Sequence, residues 1–211
     1  MGIAERRLRE KKQRRTDIVD AAERIFFSKG WDNATMEDVA EEAELSKGTL
    51  YLYFKTKEDL YLAIHLRGLK ILETLFHQAV LNQANGFEKV KAIGQAYFAF
   101  AGQYPDYFNA LSYYEMRELD FEDEDSPAAE CARQGQITNY ILVSALQEGI
   151  DDGSIRADID PLMMTMVLWG QTTGLIQIAS RKEQLIKQKY GVNIEDLFTF
   201  YFDFMHAALE A

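Results

Sequence analysis

The amino-acid sequence predicts an all-α protein with a small N-terminal domain and a larger C-terminal one. Apolar residues recur three and four positions apart through most of the 211 residues, which is the spacing of helices with one buried face. Residues typical of helix starts and stops separate these segments from one another. With 47% hydrophobic residues the chain can bury a full core, and we expect one domain over residues 1–56 and another over 57–211.

The net charge of −11 is distributed unevenly along the chain. Residues 1–57 carry 12 basic and 11 acidic side chains, whereas the remainder carries 11 basic and 23 acidic ones. A chain that segregates its charge in this way can bind phosphate at one end only. The single cysteine, Cys131, excludes an intrachain disulfide, and no signal peptide is recognisable, so we expect a cytoplasmic protein.

The first 15 residues form a basic arm, in which seven Lys and Arg residues stand against two Glu residues. Two interpretations remain open. The arm is either a flexible strip that contacts phosphates or enters a minor groove, or a solvated, frayed extension of the first helix. That helix is predicted from an apolar stripe and from Gly30, a residue type that commonly follows a helix. The stripe consists of Ile18, Ala21, Ala22, Ile25 and Phe26.

Residues 35–57, TMEDVAEEAELSKGTLYLYFKTK, predict two short helices joined by a tight turn and followed by the start of a third. Thr35 can cap the first helix, with Asp38 three positions further on. Ser46 can cap the second helix. We therefore expect a compact helix-turn-helix unit.

The second helix of this motif has an inward and an outward face. Leu50 and Phe54 are four positions apart, so they share the inward face. The opposite arc suits docking against a surface better than it suits solvent, because it combines a glycine, a hydroxyl, an apolar tip and a phenol. The residues on that arc are Gly48, Thr49, Leu52 and Tyr53.

This run resembles the helix-turn-helix of the TetR family of bacterial transcriptional regulators. The resemblance covers about the first quarter of the chain, and beyond it only the length and the helical layout are similar. Glu44 departs from the family pattern, which has glycine in the turn, so it must adopt a left-handed conformation or shift the turn. The matching residues are Thr35, Val39, Ala40, Ala43, Ser46, Gly48, Thr49, Leu50, Tyr51, Tyr53, Phe54, Lys57 and Leu60.

The resemblance implies that the helix from Lys47 to Phe54 enters the major groove of DNA. Gly48 would let the helix end approach closely, and Leu52 would touch a thymine methyl. Glu37 is a poor neighbour for phosphate, and we expect it to face away. The residues implied to lie at or near base edges are Lys47, Gly48, Thr49 and Leu52. The residues implied to contact phosphates are Thr35, Met36 through its N–H, Tyr51, Tyr53 and Lys57.

A capping pattern at residues 56–59 opens a long helix to about Gln83, which Asn85-Gly86 is expected to end. This helix begins beside the DNA-facing part and runs into the rest of the chain. It is therefore the candidate link if binding elsewhere changes DNA affinity. His65 and His77 lie on it and are expected to be ordinary histidines rather than metal ligands. Its predicted inner face consists of Leu60, Ile64, Ile71 and Leu75.

Residues 87–118 predict two helices broken at Tyr104-Pro105 and are rich in aromatic side chains. These side chains form either solid core or the wall of a pocket for an apolar or aromatic small molecule, in which phenols offer polar contacts. The family resemblance implies that such a ligand, bound in the larger domain, releases DNA. The residues expected to line the cavity are Tyr97, Phe100, Tyr104, Phe108, Tyr113, Tyr140 and Trp169.

The acidic run at residues 120–125, DFEDED, predicts a solvated loop. Ser126-Pro127 opens a further helix to about Glu148. Asp160-Pro161 is a strong start signal for the next helix, because proline is favoured at the first helical position. A last helix is predicted from about Ile194 to Leu209.

The last two helices are apolar on every side. No charge occurs from Pro161 to Ser180, but the threonines and glutamines of this segment are too polar for an isolated membrane span, so no membrane partner is expected. Two such helices predict a homodimer with a four-helix interface, as the resemblance also implies. Twofold symmetry then predicts a palindromic operator in double-stranded DNA, with recognition helices about 34–36 Å apart.

The sequence contains no phosphate-cradling glycine loop and no HExxH, GxSxG or CxxC motif, so we expect neither an enzyme nor a bound cofactor or metal. The resemblance to the TetR family implies a ligand-released transcriptional repressor. Two alternatives stay open. One is a DNA-binding regulator whose aromatic region is solid core. The other is a helical small-molecule-binding protein without DNA function.

Overall fold

The computed structural model describes residues 2–115 and 126–211, which form nine α-helices. The acidic run at residues 120–125 lies outside the described residues. The helices are α1 (Ile3–Lys29), α2 (Met36–Glu42), α3 (Lys47–Tyr53), α4 (Lys57–Val80), α5 (Gly86–Gln103), α6 (Pro105–Glu115), α7 (Pro127–Asp152), α8 (Pro161–Tyr190) and α9 (Ile194–Leu209). The predicted all-α class is therefore confirmed.

The described residues divide into two compact units. The first unit lies within Met1–Gly68 and Asn109–Ala132, and the second comprises Leu69–Phe108 and Arg133–Ala211. The chain passes from the first unit to the second inside α4. The functional boundary expected at residues 56 and 57 falls within the first unit and stays a prediction.

The basic arm is helical, and it continues without a break into the first core helix as α1. Its residues are good helix formers, and the packed part of α1 supplies the nucleus that an isolated short helix lacks. Residues 2–17 are all exposed, whereas Ile18, Ala21 and Ala22 are completely buried. The arm is therefore a solvated helix rather than a flexible strip, and its contact with phosphates stays a prediction.

The inner face of α4 differs from the prediction over its second half. Leu60 and Ile64 are buried as expected, but Leu72 and Phe76 replace Ile71 and Leu75, which are only half-buried. The buried stripe has members three or four positions apart, and its centre includes a tyrosine, a histidine and a glycine that an apolar pattern does not count. It runs through Tyr61, His65, Gly68, Leu72 and Phe76.

The expectation that Asn85-Gly86 ends α4 is wrong. The helix ends at Val80, and Asn85 is instead the N-cap of α5, where its side-chain oxygen accepts a hydrogen bond from the Glu88 N–H at 2.9 Å. Gly86 lies against Gly149 of α7 so closely that a Cβ at Gly86 would stand 2.0 Å from the Gly149 nitrogen. This glycine pair therefore fixes how α5 and α7 cross in the second unit.

The last two helices begin where their signals predict. The Asp160 side chain caps α8 by accepting a hydrogen bond from the Met163 N–H at 2.8 Å, and α9 spans Ile194–Leu209. Among the described residues, neither of these helices nor any other is long and apolar enough to cross a membrane. The polar residues of α8 explain this, because Thr165, Thr172 and Thr173 occupy its buried side.

Candidate nucleic-acid interface

The start of α2 is held by a reciprocal cap. The Asp38 N–H donates to the Thr35 hydroxyl at 3.1 Å, and the Thr35 N–H donates to the Asp38 carboxylate at 2.9 Å. The Lys29 ammonium donates to the same carboxylate at 2.7 Å. These hydrogen bonds, with that of Lys29 the largest, lower the pKa of Asp38 to about 2. The predicted capping pattern is confirmed, and it fixes Thr35 and the Met36 N–H at the helix start.

The turn between α2 and α3 uses the left-handed conformation that the sequence raised as one possibility. Glu44 has a φ of 54°, and the next N–H, that of Leu45, donates to the Ala40 carbonyl at 2.9 Å. Ser46 then caps α3, because its hydroxyl accepts from the Thr49 N–H at 3.1 Å. The turn therefore closes through a left-handed residue that is not glycine.

The orientation of α3 agrees with the predicted faces. Leu50 is completely buried and Phe54 is only 1% exposed, so both side chains anchor the helix in the first unit. On the other side Leu52 is 74% exposed, so its side chain is free to contact another molecule. Lys47 and Gly48 are also exposed, and half-buried side chains flank them, namely Thr49, Tyr51 and Tyr53.

The expectation that Glu37 faces away is wrong. Its carboxylate accepts a hydrogen bond from the Lys47 ammonium, and both side chains are exposed. The pKa of Glu37 is lowered chiefly by this hydrogen bond, and the pKa of Lys47 is raised by it. The two helices thus present an ion pair among the residues expected to contact DNA.

Lys57 has protein partners in this structure. Its ammonium donates to the Trp31 carbonyl and lies 4.5 Å from the centre of the Trp31 ring. Trp31 in turn stacks on Phe26 at 5.5 Å and meets Tyr61 edge-on at 4.7 Å. To contact a phosphate, the Lys57 ammonium group must therefore reach it while bonded to the Trp31 carbonyl, or exchange that carbonyl for a phosphate oxygen.

The first part of α4 is fastened to α1 by an ion-pair network. The Arg67 guanidinium donates to the carboxylates of Asp20 and Glu23, each at 2.7 Å. Sequence analysis missed this network, because 44 and 47 residues separate the partners and no local spacing signals it. It positions α4 relative to the helix that carries the basic arm.

The buried side of α4 is also hydrogen-bonded to the residues of α6 that belong to the same unit. The Tyr61 hydroxyl donates to the Ala110 carbonyl at 2.9 Å, and His65 bonds to the same backbone residue. Burial lowers the pKa of His65 to about 4. His65 is therefore a buried histidine that is neutral at neutral pH.

Four of the seven residues expected to line a ligand cavity form one aromatic cluster in the second unit. Tyr97 lies 6.5 Å from Phe100 and 5.9 Å from Phe108, and Tyr104 lies 5.7 Å from Phe100, measured between ring centres. The Tyr97 hydroxyl is 3.0 Å from that of Thr173, so a polar pair lies within the apolar surroundings. Thr173 and Phe76, which is 6.2 Å from Tyr97, were not predicted because they lie on other helices.

The other three residues lie elsewhere. Tyr113 belongs to the first unit, where it packs 5.4 Å from Tyr61 and 5.8 Å from Trp31. Tyr140 is 68% exposed on α7, so its side chain does not line the interior of this protomer. Trp169 is half-buried on α8.

Large apolar side chains remain exposed on the last two helices. Phe200 is 69% and Phe204 is 55% exposed on α9. Exposed aromatic and aliphatic side chains gathered on neighbouring helices are typical of an interaction surface. Their counterparts on α8 are Leu162, Met163, Met166, Val167 and Ile178.

Comparison with known proteins agrees with this geometry. Residues 18–64 match the family model described as "Bacterial regulatory proteins, tetR family", a range that includes α2, α3 and the flanking parts of α1 and α4. The chain is 23% identical over 164 residues to the fatty acid metabolism regulator protein of Bacillus subtilis, covering 77% of this chain and 81% of that one. It is 28% identical over 156 residues to the HTH-type transcriptional repressor KstR2 of Mycolicibacterium smegmatis, covering 70% of each chain.

A solved structure shares the fold over nearly the whole chain. The crystal structure of the transcriptional regulator FadR from Bacillus subtilis in complex with stearoyl-CoA superposes with a TM-score of 0.70 at 18% sequence identity. The superposition covers 92% of this chain and 98% of that one. The similarity therefore extends past the helix-turn-helix into the second unit.

Proposed function

Because the chain belongs to the TetR family of bacterial regulatory proteins, we propose that it is a sequence-specific DNA-binding repressor, released from a palindromic operator by a small apolar or aromatic ligand. The observation that carries the proposal is the outward arc of α3. Its inward side is buried, its start is capped by Ser46, and the exposed Leu52 has no role in the core.

The chemistry of each side chain on this surface indicates whether it suits a base edge or a phosphate. Lys47 and Thr49 are at the start of α3, where side chains can reach base edges, and the close approach of the backbone is eased by Gly48. Leu52 is suited to a thymine methyl. The phenols of Tyr51 and Tyr53, together with Thr35, the Met36 N–H and Lys57, are suited to phosphate oxygens, which fix the register of the protein on the duplex.

The exposed apolar faces of α8 and α9 support a homodimer. We propose that α8 and α9 of each protomer pack together in a four-helix interface. The two copies of α3 would then lie about 34–36 Å apart and reach successive major grooves on one side of the duplex. A protein acting on the chromosome in this way would work in the cytoplasm.

The aromatic cluster around Tyr97 supports a ligand site. Its aromatic rings are mostly buried, and the hydroxyl pair of Tyr97 and Thr173 offers a polar contact among them. One relative is a fatty acid metabolism regulator, and one structure of the same fold holds stearoyl-CoA, so a long apolar acyl ligand is the first class to test. Release of DNA by a ligand requires a coupling free energy of only about 1–3 kcal/mol between the two binding sites. We propose that α4 transmits this coupling.

Selection from a pool of random duplexes tests the proposal. The purified protein should enrich a palindrome and bind it with an affinity that falls steeply with salt. Tyr53→Ala should weaken that binding with the dimer intact, whereas Leu81→Ala, which alters an exposed side chain outside α3, α8 and α9, should leave it unchanged. Failure to enrich any sequence would favour a small-molecule-binding protein without DNA function.

A thermal-shift panel separates the proposal from a regulator without a ligand. Acyl-CoA thioesters, free fatty acids and other lipophilic compounds are added to the protein, and the unfolding midpoint is recorded. A ligand that raises the midpoint should also lower affinity for the selected duplex. Stabilisation by none of the compounds would favour an aromatic region that is solid core.

A further inference from the structure

The exposed part of α1 is a helical overhang with no hydrophobic reason to be ordered. Residues 2–17 are exposed along their whole length, and the buried part of the helix begins only at Ile18. At 1.5 Å per residue, the 15 helical residues from Ile3 to Asp17 extend about 20 Å. We name this segment, residues 3–17, the overhang.

The basic residues of the overhang are not scattered at random. Arg7, Lys11 and Arg14 are spaced at i, i+4 and i+7, so they form one stripe. Continued by the same spacing, this stripe runs into Ile18, Ala21 and Ala22, which form the buried side of α1. The overhang thus turns its basic stripe to the side on which the rest of the first unit lies.

A contact at the base of the overhang places it beside the recognition helix. The Arg15 guanidinium lies 4.3 Å from the centre of the Phe54 ring, and Phe54 is the residue that ends α3. Phe54 lies on the inward side of α3, so a duplex on the outward arc would lie about one helix diameter, about 10 Å, from the base of the overhang.

The positive charge of the overhang favours an anionic partner. The like charges along this stripe repel one another, since Arg7 and Lys11 are four positions apart on one helix face. A row of phosphates removes this penalty, because it neutralises the stripe over a comparable length. From Arg7 to Arg14 the stripe spans about 10 Å, which corresponds to about three base pairs at about 3.4 Å each.

We infer that the stripe formed by Arg7, Lys11 and Arg14 binds the phosphate backbone of the duplex next to the half-site that α3 contacts. The inference rests on the proposed DNA-binding function and deepens it, because it assigns a second, sequence-independent contact surface to each protomer. The overhang lengthens the footprint and raises affinity, while α3 retains base selection.

The test uses two full-length variants that remove the same amount of charge. The stripe variant is Arg7→Gln, Lys11→Gln and Arg14→Gln, and the matched control is Arg6→Gln, Arg9→Gln and Lys12→Gln, whose positions lie on the opposite face. Glutamine has a helix propensity similar to that of arginine and lysine, and circular dichroism verifies that the helix content is unchanged. Affinity for the selected duplex is measured at several salt concentrations.

The stripe variant should lower the slope of log affinity against log salt by about 0.9 for each phosphate that the protein no longer neutralises, or by about 2–3 for each bound protomer. Its hydroxyl-radical footprint should shorten by about three base pairs at each outer edge. The control should change the slope by less than half as much, and both variants should select the same sequence as the wild type.

Three results would overturn the inference. Equal reductions in both variants would mean diffuse attraction rather than an oriented stripe, and an unchanged slope in the stripe variant would show that the stripe does not bind the duplex. In the third result, the wild type and the control cosediment with vesicles of anionic phospholipid, the stripe variant does not, and the stripe variant still binds DNA like the wild type. This result would assign the overhang to a lipid surface. A wild-type protein that binds no duplex would instead disprove the proposed function itself.

Discussion

The ammonium group of Lys47, the first residue of α3, is bound by the carboxylate of Glu37 in the first turn of α2. The hydrogen bond raises the pKa of Lys47 and lowers that of Glu37, so both groups are charged at neutral pH. Exposed pairs of this kind are weak, and they exchange readily for another anion. A phosphate or a base acceptor that takes Lys47 must therefore displace Glu37.

Glu37→Gln should tighten binding to duplex DNA of any sequence by up to about 5-fold, because it releases Lys47 and removes a negative charge that repels phosphate. Affinities for the selected operator and for a scrambled duplex should be measured at matched salt. Glu41→Gln, which removes the same charge one turn further along α2, is the control. Weaker binding by Glu37→Gln would show that the carboxylate positions Lys47 or contacts a base itself.

Glu44→Gly should stabilise the protein by about 1 kcal/mol. The φ of 54° at this turn imposes a strain on a non-glycine residue that glycine avoids, and this outweighs the extra freedom of glycine in the unfolded chain. Urea unfolding followed by circular dichroism measures the difference. Asn82→Gly is the matched control at a φ of 60°, and it should gain less because asparagine tolerates this region. A destabilised Glu44→Gly protein would contradict the strain argument.

Stability should fall between pH 6.5 and pH 4 in a way that depends on His65. The folded protein holds this imidazole neutral, with its pKa lowered to about 4 by burial, whereas the unfolded chain binds the proton near pH 6.5. The unfolded state therefore gains a proton first as pH drops, and the cost at pH 5 is about 2 kcal/mol relative to neutral pH.

His65→Gln isolates this effect, because its amide can still donate to the Ala110 carbonyl and the other titrating groups are unchanged. The free energy of unfolding should be compared for both proteins at pH 7 and pH 5. The difference between the two proteins should shrink or reverse in favour of the variant at the lower pH. A pH dependence of the same size in both would rule out His65 as its source.

Phe200→Glu or Phe204→Glu should yield a monomer, because a carboxylate at a buried interface would lose its hydration without a partner. Thermal stability of the monomer should fall little, since both side chains are exposed within one protomer. Sedimentation velocity gives the oligomeric state. Leu81→Glu, at an exposed leucine outside α8 and α9, should remain dimeric. Variants that sediment like the wild type would disprove this interface.

Local signals explain what the sequence could predict. The caps at Thr35, Ser46 and Asp160 act over three residues, so the starts of α2, α3 and α8 follow directly from the sequence. The inward positions Leu50 and Phe54 follow from helical spacing alone. For the same reason, the outward arc of α3 could be identified before its surroundings were known.

Contacts between distant positions explain what the sequence could not predict. Asn85 satisfies the signals for both a helix end and a helix start, and only the packing of Gly86 on Gly149 decides between them. The stripe of α4 was misplaced because its centre includes His65, which is buried although an apolar pattern does not count a histidine. The partner of Tyr97 lies 76 residues away at Thr173, beyond any sequence spacing.

The central claim is that α3 contacts base edges through Lys47, and repeating the duplex selection with Lys47→Ala tests it most directly. The variant should lose preference at one position in each half-site and bind the original palindrome about 5- to 150-fold more weakly, corresponding to about 1–3 kcal/mol. Tyr53→Ala should weaken binding evenly across sequences and keep every preference. A Lys47→Ala protein that selects the same palindrome with the same affinity would contradict the claim.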